Sequence, residues 1–183
     1  LPHMIFGEKD IVIVIGQDGL VANTVKYLNR QPLIGINPDP ARWDGILLPF
    51  EAGQLEAVLL KTIAGNYAAR EVTMAQAGTR DGQILLAVND LFIGRKTHVS
   101  ARYDITWNCR TEHHSSSGII ISTGLGSTGW YRSVITQAAG ISREVAGRGF
   151  KADRHGWDEN KLFFVVREPF PSRSTQTEIV FGK

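Results

Sequence analysis

The stretch Ile11-Val12-Ile13-Val14-Ile15-Gly16-Gln17-Asp18-Gly19-Leu20 decides the fold. Five consecutive β-branched apolar residues run into Gly-Gln-Asp-Gly. Such a run reads as a strand buried on both faces, as in a parallel sheet covered by helices. The two glycines permit a tight turn and close backbone approach to a ligand. Val21, Val25 and Leu28 follow at helical spacing. The unit is therefore strand, glycine turn and helix, with one carboxylate in the turn. Backbone N–H groups and a helix N-terminus face such a turn, which suits phosphate. Asp18 would repel an anion in a pure phosphate cradle, so it points to a metal ligand or a general base beside the phosphate. The plainer alternative is an ordinary strand-to-helix turn in which Asp18 caps the helix, because short glycine motifs also arise by chance.

Composition sets the bounds. With 183 residues, 43% hydrophobic and 21% charged, the chain is an ordinary globular sequence of one large or two small domains. A net charge of +2 gives no support to nucleic-acid binding as the main role. The single cysteine, Cys109, excludes an internal disulfide and fits a reducing compartment. No apolar run approaches the roughly 20 residues of a membrane span, and the first residues do not read as a signal peptide. A cytoplasmic location without a membrane partner is expected. Both ends read as cut. Only ten residues precede the central strand, and the last strand-like run, Thr177 to Phe181, stops two residues before the end. A piece of a longer chain is expected.

Outward from the glycine turn, Leu33-Ile34-Gly35-Ile36-Asn37 is a second buried strand, stopped by Pro38-Asp39-Pro40. Gly45 to Pro49 reads as a third extended piece. A helix is expected from Glu51 to Ala64, with Leu55, Val58, Leu59 and Ile63 as its apolar stripe and Gly65 as its stop. This β-α-β-β-α order predicts an open α/β sheet. Past Asn66 the texture changes to short strands separated by turns: Gln83–Val88, Leu91–Ile93, Arg102–Arg110, Gly118–Ser122 and Leu162–Val166. Such a series predicts an antiparallel sandwich. In Arg102–Arg110, Tyr103, Ile105, Trp107 and Cys109 share one face, which is read as core. The segment Ser122-Thr123-Gly124-Leu125-Gly126-Ser127-Thr128-Gly129 is dense in glycine and hydroxyls and opens a helix expected over Trp130–Ala139, with Gly140 as its stop. Hydroxyls and amides at a helix start suit a phosphate or a ribose. The alternative is a glycine loop with Ser127 or Thr128 as N-cap.

Three motifs now stand in order: Gly16-Gln17-Asp18-Gly19, Asn89-Asp90 and Ser122 to Gly129. Together they resemble the NAD kinase family and its wider superfamily of diacylglycerol, sphingosine and other lipid kinases. The first is similar to the family's Gly-Gly-Asp-Gly-Thr, the second to its Asn-Glu/Asp pair followed by Ile93-Gly94-Arg95, the third to its Ser-Thr-Pro-Thr-Gly-Ser-Thr-Ala-Tyr loop. Pro32 to Asn37 matches Pro-x-x-Gly-Ile-Asn. The similarity runs from about Ile11 to Ser133, and more weakly through Pro169-Phe170-Pro171-Ser172.

The resemblance implies a partial Rossmann-like α/β domain over residues 1–66 and an all-β, antiparallel β-sandwich domain over residues 67–183, with a nucleotide site between them. It implies transfer of a phosphoryl group from ATP or polyphosphate, with Mg²⁺, to a hydroxyl, the 2′-hydroxyl of NAD first. Asp18 would be the general base or help hold the metal. Gly16 and Gly19 would let amides approach phosphates. Asn89 and Asp90 would bind the dinucleotide through its ribose hydroxyls and base. Ser127, Thr128, Gly129 and Ser133 would line the adenine and ribose pocket. A homo-oligomer is implied by resemblance alone.

The chain departs from the pattern at Gln17 and Leu20, at Gly124-Leu125, at Gly129-Trp130, and at Ser117, where the family carries an acid before the strand leading into the third motif. Two alternatives therefore stand beside NAD: a sugar or lipid hydroxyl as acceptor, or a non-catalytic nucleotide-binding protein with a decayed site. Elsewhere, Glu112-His113-His114 is read as a solvated hairpin rather than a metal site, since adjacent strand residues face opposite ways. Arg143, Arg148, Lys151 and Arg154 read as a solvated loop. Asp39, Arg42 and Asp44 lie after the second strand, on the ligand side of such sheets, with their role open.

Overall fold

The computed structural model describes residues 4–151 and 153–183. The chain folds as two compact units, one ending at Arg70 and one running from Glu71 to Lys183.

In the first unit, β1 (Val12–Ile15) and β2 (Leu33–Asn37) pair in parallel, from Val12 opposite Leu33 to Ile15 opposite Ile36. β3 (Phe50–Glu51) completes the order β1-β2-β3. The expected extended piece at 45–49 is a turn instead, and the strand falls just after it. α1 (Asp18–Val25) connects β1 to β2, and its Val21 and Val25 pack with Leu28 on Val12, Val14 and Leu48. Burial of β1 on both faces is not found: Ile13 is 38% and Ile15 55% exposed. The register puts these two on the face of Ile34 and Ile36, where α2 (Leu55–Ile63) lies against β2 and leaves the edge strand uncovered. α2 is entered through a single 3₁₀ turn, Ala52–Gln54, closed by a reciprocal Glu51–Gln54 capping box. Its inward stripe is Leu55, Val58, Leu59 and Thr62. Ile63 points to solvent, because i, i+3, i+4, i+7 from Leu55 leads to position 62.

The long loop between β2 and β3 is folded against both. Asn37 starts it, donating through Nδ2 to the Trp43 carbonyl (2.9 Å) and accepting from the Asp39 amide (3.1 Å). Gly45 sits at φ +60°, where a Cβ would come within 2.4 Å of Asn37 Nδ2. Beneath the loop, a Cβ on Gly35 would lie 2.3 Å from the Leu47 carbonyl oxygen. These glycines let the loop lie down on the sheet.

In the second unit a four-stranded antiparallel sheet has the order β11-β10-β9-β6, formed by Phe181–Gly182, Phe163–Arg167, Gly118–Ser122 and Asp90–Ile93. Two hairpins accompany it: β4 (Ala75–Gly78) with β5 (Ile84–Ala87), and β7 (Ala101–Trp107) with β8 (Arg110–Ser116). Ile119, Phe164, Val166 and Ile179 pack with Tyr103, Ile105 and Trp107 of β7, so one face of the sheet meets the hairpin. On the opposite face Ile120, Phe163 and Val165 meet Tyr131, Val134 and Ile135 of α3 (Trp130–Ala146). Cys109 leaves the expected core face: Asn108 and Cys109, at φ +48° and +61°, form the hairpin turn. α3 runs through Gly140 and stops at Gly147, in the left-handed conformation at φ +64°. One helical glycine costs only about 1 kcal/mol relative to alanine and does not end a helix.

Glu112 and His114 correct the expectation of a solvated hairpin, being 5% and 0% exposed, while His113 faces out to Asp104. Glu112 Oε2 accepts from His114 Nε2 (3.0 Å) and from the amides of Glu178 (3.0 Å) and Ile179 (2.9 Å). Burial alone would raise the Glu112 pKa, but these donors outweigh it and hold the carboxyl below its ordinary value. With those amides engaged by a side chain, the expected strand over Thr177–Phe181 shrinks to β11.

Gly35→Ala is expected to destabilise the protein by about 1–3 kcal/mol through overpacking against the loop. Gly140→Ala, whose Cβ would meet nothing within 4 Å, should instead stabilise by roughly 0.5–1 kcal/mol. Urea unfolding of both variants checks the pair.

Candidate functional site

The first group of residues gathers at the start of α1. Asp18 is the first residue of the helix, so its carboxylate lies at the positive end. It does not cap its own helix. Oδ1 accepts from the Leu47 amide (2.7 Å) and Oδ2 from the Ile46 amide (3.3 Å). Two of the roughly four lone-pair positions of a carboxylate are thus engaged, and the group is fixed in direction. Beside it is a cavity of about 340 Å³ lined by Gln17, Asp18, Gly19, Arg42, Trp43, Asp44, Gly45 and Leu48. Gly16 and Gly19 are at this turn. A Cβ on Gly16 would come within 3.2 Å of Leu20 Cδ2, whereas one on Gly19 would meet nothing within 4 Å, so the helix start is open to approach. Of Asp39, Arg42 and Asp44, whose role the residue pattern leaves open, Arg42 and Asp44 line the cavity beside Asp18.

The second group gathers where β9 leads into α3. Asp90 opens β6 directly opposite Ser122. Its Oδ1 is buried without a hydrogen-bond partner. Burial raises its pKa, and the Ser122 hydroxyl only partly opposes this. Gly129, the residue before α3, lies over it: a Cβ there would sit 3.7 Å from Asp90 Oδ2. The loop is tied down by Thr123, which is fully buried. Its hydroxyl donates to the Val88 carbonyl (2.6 Å) and accepts from the Gly126 amide (3.0 Å), and its own amide donates to the Asn89 carbonyl (2.9 Å). Gly126 packs onto that same Asn89 carbonyl, where a Cβ would come within 2.1 Å. A Cβ on Gly124 would lie 1.8 Å from the Gly156 carbonyl oxygen.

Ser127 is turned inward. Its hydroxyl donates to the Gly124 carbonyl (2.6 Å) and accepts from the His155 amide (3.1 Å), so it builds the loop rather than facing a ligand. Thr128 bonds the Leu125 carbonyl (3.0 Å). Asn89 and Ser133 are exposed, Ser133 in the first turns of α3. Neither Ser127 nor Thr128 caps α3, since Gly129 takes that position. Trp130 presents a flat, half-exposed ring, 5.2 Å from the Phe92 ring and 5.0 Å from the Arg167 guanidinium. An acid also stands beside Ser117. The Ser117 hydroxyl hydrogen-bonds Glu168 and, with help from Arg167, keeps that carboxyl below its ordinary pKa despite the opposing effect of burial.

No family model matches the chain. Over 129 residues it is 33% identical to a NAD kinase from Clostridium kluyveri, covering 66% of this chain and 44% of that protein. Over 140 residues it is 31% identical to a NAD kinase from Legionella pneumophila, covering 71% and 46%. Its fold matches that of yeast NADH kinase complexed with NADH (TM-score 0.64, 16% identity, covering 88% of this chain and 45% of that one).

The chain belongs to the NAD kinase–diacylglycerol kinase-like superfamily.

A NAD kinase from Archaeoglobus fulgidus in complex with ATP shares the fold as well (TM-score 0.56, 21% identity, covering 88% of this chain and 57% of that one). Against this superfamily background the chain is divergent, and it spans less than half the length of the curated relatives it matches. Among the described residues no helix is long and apolar enough to cross a membrane.

Asp90→Asn tests the strain in the second group. A carboxyl whose folded pKa is raised weakens the fold once ionised. The asparagine variant should therefore have the higher Tm at pH 7. Its advantage should disappear as pH falls through the raised value toward the ordinary 3.8. Thermal unfolding at several pH values reads this directly.

Proposed function

We propose that the protein is an NAD-kinase-like phosphotransferase, moving a phosphoryl group from ATP or polyphosphate to the 2′-hydroxyl of NAD. The observation that carries this reading is the Asp18 carboxylate, fixed by two backbone amides on the wall of a cavity at a helix start. Phosphoryl transfer asks a protein chiefly for positioning and charge stabilisation, plus a base that receives the hydroxyl proton. The amides of Asp18 and Gly19, which precede the Leu20 and Val21 amides bonded to the Gln17 carbonyl, face the phosphates across the open Gly19. Asp18 keeps free lone pairs to take the proton.

The residue set also fits magnesium. That ion binds through one or two carboxylates together with phosphate oxygens. Asp18 and Asp44 both line the cavity. Among the described residues no three His, Cys, Asp or Glu side chains converge, so substrate phosphates would complete the shell. When bound, the ion neutralises charge on the phosphates. In the second unit Asn89, Asp90, Thr128, Gly129 and Ser133 receive the dinucleotide. The unpartnered Oδ1 of Asp90 is an acceptor for a ribose hydroxyl, and Ser127 shapes the loop from inside.

Gln17 and Leu20 favour a second reading, a sugar or lipid hydroxyl as acceptor at the same base. They put a bulkier side chain and an apolar one where the superfamily pattern has glycine and threonine. Incubation with MgATP and NAD should give NADP, and Asp18→Asn should lower kcat about 10²–10⁴-fold. NADP formation unaffected by that substitution contradicts the role of Asp18. Absence of NADP, with another hydroxyl compound phosphorylated, selects the second reading.

A further inference from the structure

We propose that Arg42 is the cation that holds the phosphoryl donor in the Asp18 cavity, a specificity-determining contact that rests on the kinase reading above. The charge balance of the cavity wall leads there. Asp18 and Asp44 bring two carboxylates to it, and Arg42 brings the one guanidinium among the lining residues. Magnesium between the two acids would offset part of the charge of a polyphosphate, and Arg42 is the lining cation left to meet its remaining oxygens. Arg42 is available: among the described residues it forms no salt bridge, and its guanidinium stacks on the Trp43 ring, 4.9 Å from the centroid.

The stack is itself held in place. The amides of Arg42 and Trp43 both donate to the Asp39 carbonyl (3.1 and 3.0 Å), and the Trp43 carbonyl accepts from Asn37 Nδ2 (2.9 Å). Thus Asn37 at the end of β2 fixes Trp43, and Trp43 presents the guanidinium. A guanidinium held over an indole by its central carbon retains edge N–H groups for two phosphate oxygens at once. The same loop supplies the Ile46 and Leu47 amides to Asp18. One loop therefore sets both the base and the phosphate contact.

The test uses the intact chain and two readouts. Tripolyphosphate binding is measured by calorimetry for the unaltered protein, Arg42→Ala, Arg42→Lys and Trp43→Phe, each first checked for an unchanged circular dichroism spectrum. Steady-state KM values are measured for ATP and for the acceptor. Arg42→Ala should weaken tripolyphosphate binding and raise KM for ATP by about ten-fold or more, with the acceptor KM unchanged. Arg42→Lys should recover only part, because an ammonium lacks the two-pronged geometry. Equal tripolyphosphate affinity in the unaltered protein and Arg42→Ala overturns the proposal, as does no binding to either. Should Arg42→Ala fail to fold, equal affinity in Arg42→Lys and the unaltered protein overturns it. Loss of binding in Arg42→Ala, in a protein that makes no NADP, upholds the Arg42 contact and rejects NAD as acceptor.

Discussion

Two backbone hydrogen bonds from Ile46 and Leu47 to the Asp18 carboxylate organise the first unit. They join the start of α1 to the loop between β2 and β3, elements far apart in sequence. Everything near them serves that junction. Gly35 is bare so the loop can descend onto β2, Gly45 takes a left-handed turn beside Asn37, and Leu48 enters the core with Val12, Val14 and Val21. A carboxylate at a helix start is favourable on its own, but a freely rotating one is a poor base. The amides convert it into a directed group, at the cost of a loop that must be built accurately.

The second unit solves a similar problem with hydroxyls in place of an acid. Thr123 and Ser127 are buried and satisfied within the loop, and Gly124 and Gly126 are required by carbonyl oxygens packed against them. The loop is thus bonded and packed within itself without a ligand. Against that satisfied background Asp90 stands out, with a buried oxygen that has no partner. A group that burial holds away from its ionised form, next to the start of a 17-residue helix, is strained in the direction that a hydroxyl ligand would relieve.

Much of this was legible in the residues. The run Ile11–Ile15 with its glycine turn gave β1 and α1, and Leu33–Asn37 gave β2 at its observed bounds. Order and spacing of the three motifs gave the superfamily. What the residues did not reveal depends on contacts distant in sequence. Exposure of Ile13 and Ile15 follows from the position of α2 over β2, which a local apolar run does not encode. Burial of His114 and Glu112 follows from the docking of Glu178 and Ile179, more than sixty residues away. Gly140 reads as a helix stop because glycine favours the left-handed residue after a helix, whereas the chain takes that conformation at Gly147. The inward turn of Ser127 follows from the packing of the His155 segment, and the motif spacing is silent about it. For Arg42 and Asp44 the residues give only a place on the ligand side of the sheet, since the folded loop is what brings them to one cavity with Gly19.

The central claim is that the Asp18 turn and the loop over it form the phosphate end of the site. Backbone amide chemical shifts, recorded as MgATP is added to the isotope-labelled chain, test it most directly. The account predicts that the largest changes in the first unit fall on Gly16, Gly19 and residues 42–47. Those amides staying fixed at ATP concentrations that move others, or no amide moving at all, would contradict it.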